Sequence, residues 1–474
     1  MQNETDIRYL RTPIIPTRQT FWGNEGDLDY RALCVFAATG FFLDTDTYYQ
    51  GQQALKPACE YQFSERGEIL QETPYFKWHH SPVERSFDTV VDEFSNLFET
   101  IVAEQTEDRE IILPLSGGLD SRTQAVALKR LGITTNTFSY AFAGGHDETY
   151  YAKQIARACG FPFQSFKVKS GYLWSCIEEL AIINRCYSEF THPRQMAFKD
   201  CYNNMGDVFS LGHWGDVLFD DMGVPDNLSL EGQVEVLLNK IIKKGGLFLA
   251  ESLWLTWGLE GDFKSYLTER IRNLLQDIGI TNSANAQIRA FKSLYWAPRW
   301  TSVNLSVFES VKPISLPYYD NRLCEFICTI PEHFLARRQI QIAYIKKNMP
   351  ELAKITWQAQ RPFNLNTFSY NKAPFNLPYR IVNKINRELN AFKGNPYIQR
   401  NWELQFLGDD NDKLLQQYLF DNPNFRVIIP ESLVKTVYNK FKTEDAITYS
   451  HPLSQLLTLA LFTKTYNIIS SIEN

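Results

Sequence analysis

Paired cysteines are missing from this sequence. Its eight cysteines, at positions 34, 59, 159, 176, 186, 201, 324 and 328, include no Cys-x-x-Cys spacing, so no zinc ribbon or dithiol redox motif can be read from them. Cys324 and Cys328 stand four apart on an expected helix, but no second cysteine pair and no paired histidines accompany them. Core or surface thiols in a reducing cytoplasm account for the pattern. Long apolar runs are missing too: none approaches the roughly 18 residues of a membrane span. The opening stretch Met1 to Asp6 is polar and acidic and does not read as a secretory signal. Nor is there an excess of positive charge. With 48 Lys and Arg against 54 Asp and Glu, the net charge is −6, which argues against a nucleic-acid surface. What remains is ordinary globular composition over 474 residues, enough for two or three domains of roughly 100–200 residues each.

The segment Ile111-Ile112-Leu113-Pro114-Leu115-Ser116-Gly117-Gly118-Leu119-Asp120-Ser121-Arg122 is the most informative stretch. A short apolar run reads as a buried strand, ends in Ser-Gly-Gly, and leads into a helical stretch through Thr123 and Leu131. Glycines at such a turn let backbone approach an anion, and a helix start presents unpaired N–H groups at the positive end of its dipole. Ser116 and Ser121 add hydroxyl donors, and Asp120 places a carboxylate where a metal ion can bridge to phosphate oxygens. No Gly-Lys-Ser/Thr follows, so this is not a Walker loop, and two adjacent glycines do not make a dinucleotide fingerprint. An ordinary β–α turn is the bland alternative.

Around this loop the pattern alternates strand and helix. Ser86 to Thr106 has apolar residues at helical spacing; Thr134 to Tyr140 and Phe163 to Val168 read as strands flanking a helix from Glu148 to Cys159. This predicts an α/β fold with a doubly wound parallel sheet. Before it, Leu33 to Phe42, Thr47 to Tyr49 and Tyr61 to Phe63 are expected strands, with Ser64 to Gly67 as a hairpin turn. After about residue 225 the pattern is helical, over Val234 to Ile242, Phe263 to Leu275 and Ala286 to Trp296. The expected division is a small β-rich domain over 1–85, an α/β domain over 86–370 and a helical C-terminal part over 371–474.

Leu115 to Ser121 resembles the pyrophosphate loop of the asparagine synthetase family and its β-lactam synthetase and lasso-peptide cyclase relatives. The resemblance implies that Leu115, Ser116, Gly117, Gly118, Asp120 and Ser121 bind ATP. Thr137 to Phe142, followed by His146-Asp147-Glu148, is similar to the family's second strand and helix, which implies that Ser139 and Tyr140 edge the adenine. Asp207 to Phe219 resembles the family's Ser-Gly-x-Gly-x-Asp element. Carried over, Gly212 matches a family glycine and Asp216 the metal-binding aspartate, so that Asp120 and Asp216 would together hold Mg²⁺ on the triphosphate. His213 stands where the family has an acid or a tyrosine near the reacting amine, and a histidine there suits proton transfer. Trp296 to Trp300, Leu316 to Phe326 and the Ile330-Pro331-Glu332 turn resemble the acceptor-side segment, in which Asp320 and Arg322 read as an ion pair or helix cap.

The sequence also departs from the family. The family lysine that stabilises charge on the adenylating carboxyl falls at Gln360, with Arg361 beside it as the candidate replacement cation. A second lysine is absent where Arg337-Arg338-Gln339-Ile340-Gln341 stands. Phe42 to Gly51 and Leu55 to Ala58 resemble late strands of a glutaminase domain, but residue 2 is Gln2 and the first cysteine is Cys34, so glutamine hydrolysis is not expected. The resemblance thus implies an ATP-dependent amide-forming ligase acting on a small-molecule carboxylate with ammonia or an amine, cytoplasmic, without nucleic acid or membrane, with a homodimer allowed and the oligomeric state left open. Its rivals are a non-catalytic nucleotide-binding scaffold, and a tRNA-modifying pyrophosphate-loop enzyme that would want a basic surface or paired cysteines.

Overall fold

In the computed structural model, which describes residues 8–147, 149–392 and 397–466, the chain opens with short elements: β1 (Arg8–Arg11), β2 (Phe21–Gly23), α1 (Tyr30–Thr39), β3 (Gln52–Ala54), β4 (Cys59–Phe63) and β5 (Ile69–Pro74). Met1 to Asp6 and Glu148 lie outside the described residues. Strands β1, β4 and β5 form an antiparallel sheet in that order, and β2 pairs with β3. The Ser64–Gly67 turn joins β4 to β5: the Ser64 N–H donates to Glu68 O at 2.9 Å, and Gly67 takes a φ of +79°.

Leu33 to Phe42 is not the expected strand. Most of it lies in α1, which starts where the Asp29 carboxylate accepts from the Ala32 N–H at 2.9 Å and stops at Gly40, in the left-handed region. Every residue from Ala32 to Thr39 is buried. A helix buried on all sides shows no 3.6-residue alternation, so its apolar run is indistinguishable from an inner strand. Thr47 to Tyr49 is not a strand either; it contributes only an isolated bridge between Tyr49 and Leu28.

The central part follows the alternation read from the sequence. Helix α2 (Phe87–Thr106), capped by Ser86, buries Phe94, Phe98 and Ile101 at roughly 1.5–3 kcal/mol each. Then come β6 (Ile111–Pro114), α3 (Asp120–Arg130), β7 (Thr135–Phe142), α4 (Thr149–Cys159), β8 (Phe163–Val168), α5 (Ile177–Asn184), β9 (Val208–Ser210), α6 (Gly215–Leu218) and β10 (Ile314–Ser315). The sheet is parallel throughout, in the order β10-β9-β6-β7-β8. Inner strand β6 is apolar on both faces, as a sheet covered by helices requires.

Expected helices appear at Leu230–Ile241, Phe263–Ile278 and Ala284–Phe291, the last continuing as a π-helix over Lys292–Thr301. Helices also dominate after residue 376, from Leu377–Phe392 to Ala446–Thr465. One apolar core runs from Ile14 and α1 through the sheet into Ala446–Thr465, where Tyr48 and Phe462 stack at 3.6 Å and the His451 Nε2–H meets Ala37 O at 3.0 Å. Cys324 and Cys328 are buried in that core. Among the described residues no helix is long and apolar enough to cross a membrane.

Candidate functional site

The chain passes from β6 outward to β7 and β8, then returns to lay β9 on the other side of β6. The carboxyl ends of β6 and β9 therefore form the switch point of the sheet, where adjacent connections diverge and leave a crevice. The Ser-Gly-Gly loop leaves β6 there, and Gly212 to Asp216 leaves β9 there. A cavity of about 1,540 Å³ opens at this point. Leu115, Ser116, Gly118, Asp120, Ser121, Ser139, Tyr140, Gly212, His213, Asp216 and Arg361 all line it.

Gly117 is the one expected site residue that does not line the cavity. Its N–H donates to the Gln358 Oε1 at 3.1 Å, and the Gln358 N–H donates back to Gly117 O at 3.0 Å. The other loop donors are also engaged internally. The Ser116 N–H reaches Ser121 Oγ and the Gly118 N–H reaches Ser116 Oγ, each at 3.1 Å. Beneath the loop lies a residue the sequence reading passed over. The guanidinium of Arg122, wholly buried, donates to Gly117 O (3.1 Å), Leu352 O (3.1 Å), Ile355 O (3.0 Å) and Thr356 O (2.9 Å). It ties the loop to the segment bearing Gln358, and burial pulls its pKa down to about 10, so it stays charged.

Asp120 and Asp216 come together as expected, but Asp120 is not free. Its Oδ1 accepts from the Arg338 guanidinium and from the Gln341 Nε2 at 3.1 Å. Burial raises the Asp120 pKa, the Asp216 charge adds to the rise, and Arg338 and Gln341 pull it back. For Arg338, burial opposes the charge, but Asp120 and Asp216 outweigh that and hold it protonated. Arg337 and Arg338 both adopt left-handed backbone, φ +58° and +61°, costly for arginine and located at the site. Asp216 makes no hydrogen bond or ion pair with any described residue. Gly215 allows the close approach: a Cβ there would lie 2.1 Å from the Asp120 Oδ1.

His213 lines the cavity with its Nδ1 buried and unpartnered among the described residues. Burial pulls its pKa down to about 4 against the pull of Asp216, so the imidazole is neutral at physiological pH. Gln360 faces away from the cavity, accepting from the Asn371 Nδ2 at 2.7 Å, while Arg361 lines it. Asp320 and Arg322 form both the ion pair and the cap: Asp320 Oδ1 accepts from the Arg322 N–H at 3.0 Å and from its Nε at 2.9 Å.

Lys292, which no motif announced, also lines the cavity. Its Nζ lies 5.8 Å from the ring centroid of Trp214 and 5.6 Å from that of Trp296. Burial pulls its pKa down to about 8, with Asp216 acting in the opposite direction.

Residues 93–206, which run from within α2 through the loop, β7, α4 and β8, match the family model described as asparagine synthase. No curated protein matches the chain. Among solved structures, the U34-tRNA thiolase NcsA from Methanococcus maripaludis with its iron–sulfur cluster is 12% identical, with a TM-score of 0.20, over 44% of this chain and 80% of that one. The matched stretch 93–206 includes the Ser-Gly-Gly loop that leaves β6 at the switch point of the parallel sheet, so the likeness to asparagine synthase is to this part of the chain.

Proposed function

We propose that the protein binds ATP at the switch point, activates a carboxylate as an acyl-adenylate with release of pyrophosphate, and passes the acyl group to ammonia or an amine. The observation that carries this reading is the meeting of Asp120 and Asp216 beside the serine-lined loop, at the crevice of the sheet. The loop serines and the start of α3 supply donors for phosphate oxygens, Arg361 supplies a cation beside them, and Ser139 and Tyr140 edge the base.

The donor set fits Mg²⁺. Asp216 is unpaired and Asp120 keeps Oδ2 clear of Arg338 and Gln341, so two hard carboxylate oxygens are available, the number commonly used with phosphates and water. When bound, the cation would offset negative charge on the departing pyrophosphate. His213, neutral and with an unsatisfied ring nitrogen, can accept a hydrogen bond from the attacking amine. With a pKa near 4, it orients that amine better than it removes the proton outright. Cys34 is buried in α1, with its thiol pushed far above its ordinary value, so it serves no glutaminase chemistry.

A second reading, nucleotide binding without ligation, is favoured by one pair of contacts. Gln358 occupies the Gly117 amide, and Gln360, at the family lysine position, is turned to Asn371. Calorimetric titration with ATP and Mg²⁺, comparing wild type with the Asp120→Ala, Asp216→Ala double variant, tests the site. Magnesium-dependent binding that the double variant loses is expected. Pyrophosphate release on adding a carboxylate then separates ligation from binding alone, and a folded wild type that binds no nucleotide overturns both readings.

A further inference from the structure

The cavity is larger than a nucleotide site needs; ordinary ligand pockets run to roughly 300–1,000 Å³. One wall of the excess space is built by the π-helical segment Lys292–Thr301. A π-helix has about 4.4 residues per turn, so positions four apart share a face, and Lys292, Trp296 and Trp300 all line the cavity. Trp214, after β9, completes the wall.

This wall is pre-organised. The Trp214 Nε1–H donates to Ser293 Oγ at 3.0 Å, Trp296 stacks on Phe41 at 5.7 Å, and the Lys243 Nζ sits 5.6 Å from the rings of both Trp296 and Trp300. Its polar groups are not satisfied. Lys292 makes no ion pair with any described residue, and Trp296 Nε1 is buried without an acceptor. An unpaired ammonium in an aromatic corner is the complement of an anionic group attached to a planar or apolar body. Acids, by contrast, are scarce. Asp120 and Asp216 are the only carboxylates among the described lining residues, and the proposed reading gives both to the metal. An amino-acid ammonium would find no counter-charge of its own on this wall.

We infer that Lys292, Trp214, Trp296 and Trp300 form the acid subsite of the cavity, and that it takes a monocarboxylic acid with an aromatic or extended apolar body, not an acidic amino acid. The inference rests on the proposed reading that this site activates a carboxylate.

Calorimetry with trans-cinnamate, cinnamyl alcohol and L-aspartate as probes tests it, each titrated with and without a non-hydrolysable ATP analogue and Mg²⁺. Cinnamate is expected to bind, and the alcohol of the same shape to bind about tenfold to a hundredfold more weakly, the loss of a charge-assisted hydrogen bond. Aspartate is expected to give no heat. Lys292→Met should bring cinnamate down to the level of the alcohol, and Lys292→Arg should restore most of it. Aspartate binding as tightly as cinnamate, no binding of cinnamate by wild type, or equal binding of cinnamate by Lys292→Met would each overturn the inference. The alcohol comparison reads the same charge without a substitution, so an unfolded variant does not blunt the test. The titration without nucleotide separates failure of the subsite from failure of ATP binding.

Discussion

Replacing Arg338 with Met removes the one cation that touches Asp120 among the described residues and leaves a largely buried carboxylate facing Asp216, with the Gln341 amide for support. Breaking a buried pair from one side costs about 3–5 kcal/mol, because the surviving charge keeps its desolvation penalty and loses its compensation. Unfolding entropy of ~2.1 cal/mol/K per residue over 474 residues makes this a fall of about 3–5 °C in Tm. The same change creates a stronger cation site from two unneutralised carboxylates. Millimolar Mg²⁺ should therefore raise the Tm of Arg338→Met by more than it raises that of wild type, and adding Asp120→Asn should both recover stability and abolish the magnesium response. Differential scanning fluorimetry across a magnesium series reads both effects. A variant as stable as wild type, or one indifferent to Mg²⁺, refutes the argument that Arg338 stands in for a counter-ion at Asp120.

Gln358→Ala frees the Gly117 N–H for phosphate and should tighten ATP binding by up to about tenfold, the ~0.5–1.5 kcal/mol of one hydrogen bond that no longer has to be displaced; weaker binding by calorimetry would instead make Gln358 a ligand contact. Gly215→Ala drives a methyl against Asp120, which Arg338 and Gln341 hold in place, so about 1–3 kcal/mol of stability and the Mg²⁺–ATP heat should be lost together. His213, His192 and His451 are half-buried and neutral, with pKa values lowered by desolvation to about 4, 3 and 3. The unfolded chain binds protons below about pH 6.5 that the native state refuses, so stability should fall as pH drops from 6.5 toward 4, by about 1.4 kcal/mol per pH unit for each histidine. Asp120 and Asp46, with raised values, act in the opposite sense. Urea titrations of wild type and His451→Asn between pH 7 and pH 5 should show the slope reduced in the variant.

The β6–α3–β7–α4–β8 run was legible because each of its signals is local: strand length, a glycine turn and helical spacing within about 60 residues. Asp216 and Gly212 were legible through a motif whose spacing survives in this chain. Arg338, Gln341 and Gln358 were not, although they hold Asp120 and Gly117, because they reach the site from 218 to 241 positions away in sequence. Lys292 escaped for another reason: one lysine on a largely apolar helix reads as a solvated tip, and nothing local in the sequence shows that its face, shared with Trp296, lines the cavity. Helix α1 was misread because burial on every side erased the periodicity that tells helix from strand. Arg361 was placed at the cavity from its neighbour Gln360, and it does line it, while Gln360 itself turned to an asparagine that no spacing would single out.

The contact between α1 and the helix Ala446–Thr465 bears on how the molecule is made. His451 and Ala37 are 414 positions apart, and Tyr48 stacks on Phe462 across the same interval. During synthesis α1 leaves the ribosome more than 400 residues ahead of the Ala446–Thr465 face that packs on it. At about 5–20 residues per second, the apolar run Ala32 to Ala38 of that helix waits roughly 20–80 s for Ala446–Thr465. Contacts that distant in sequence also form slowly once both sides are present. Packing on Gly246–Thr256, which is made well before Ala446–Thr465, shortens the time for which that apolar run stays uncovered.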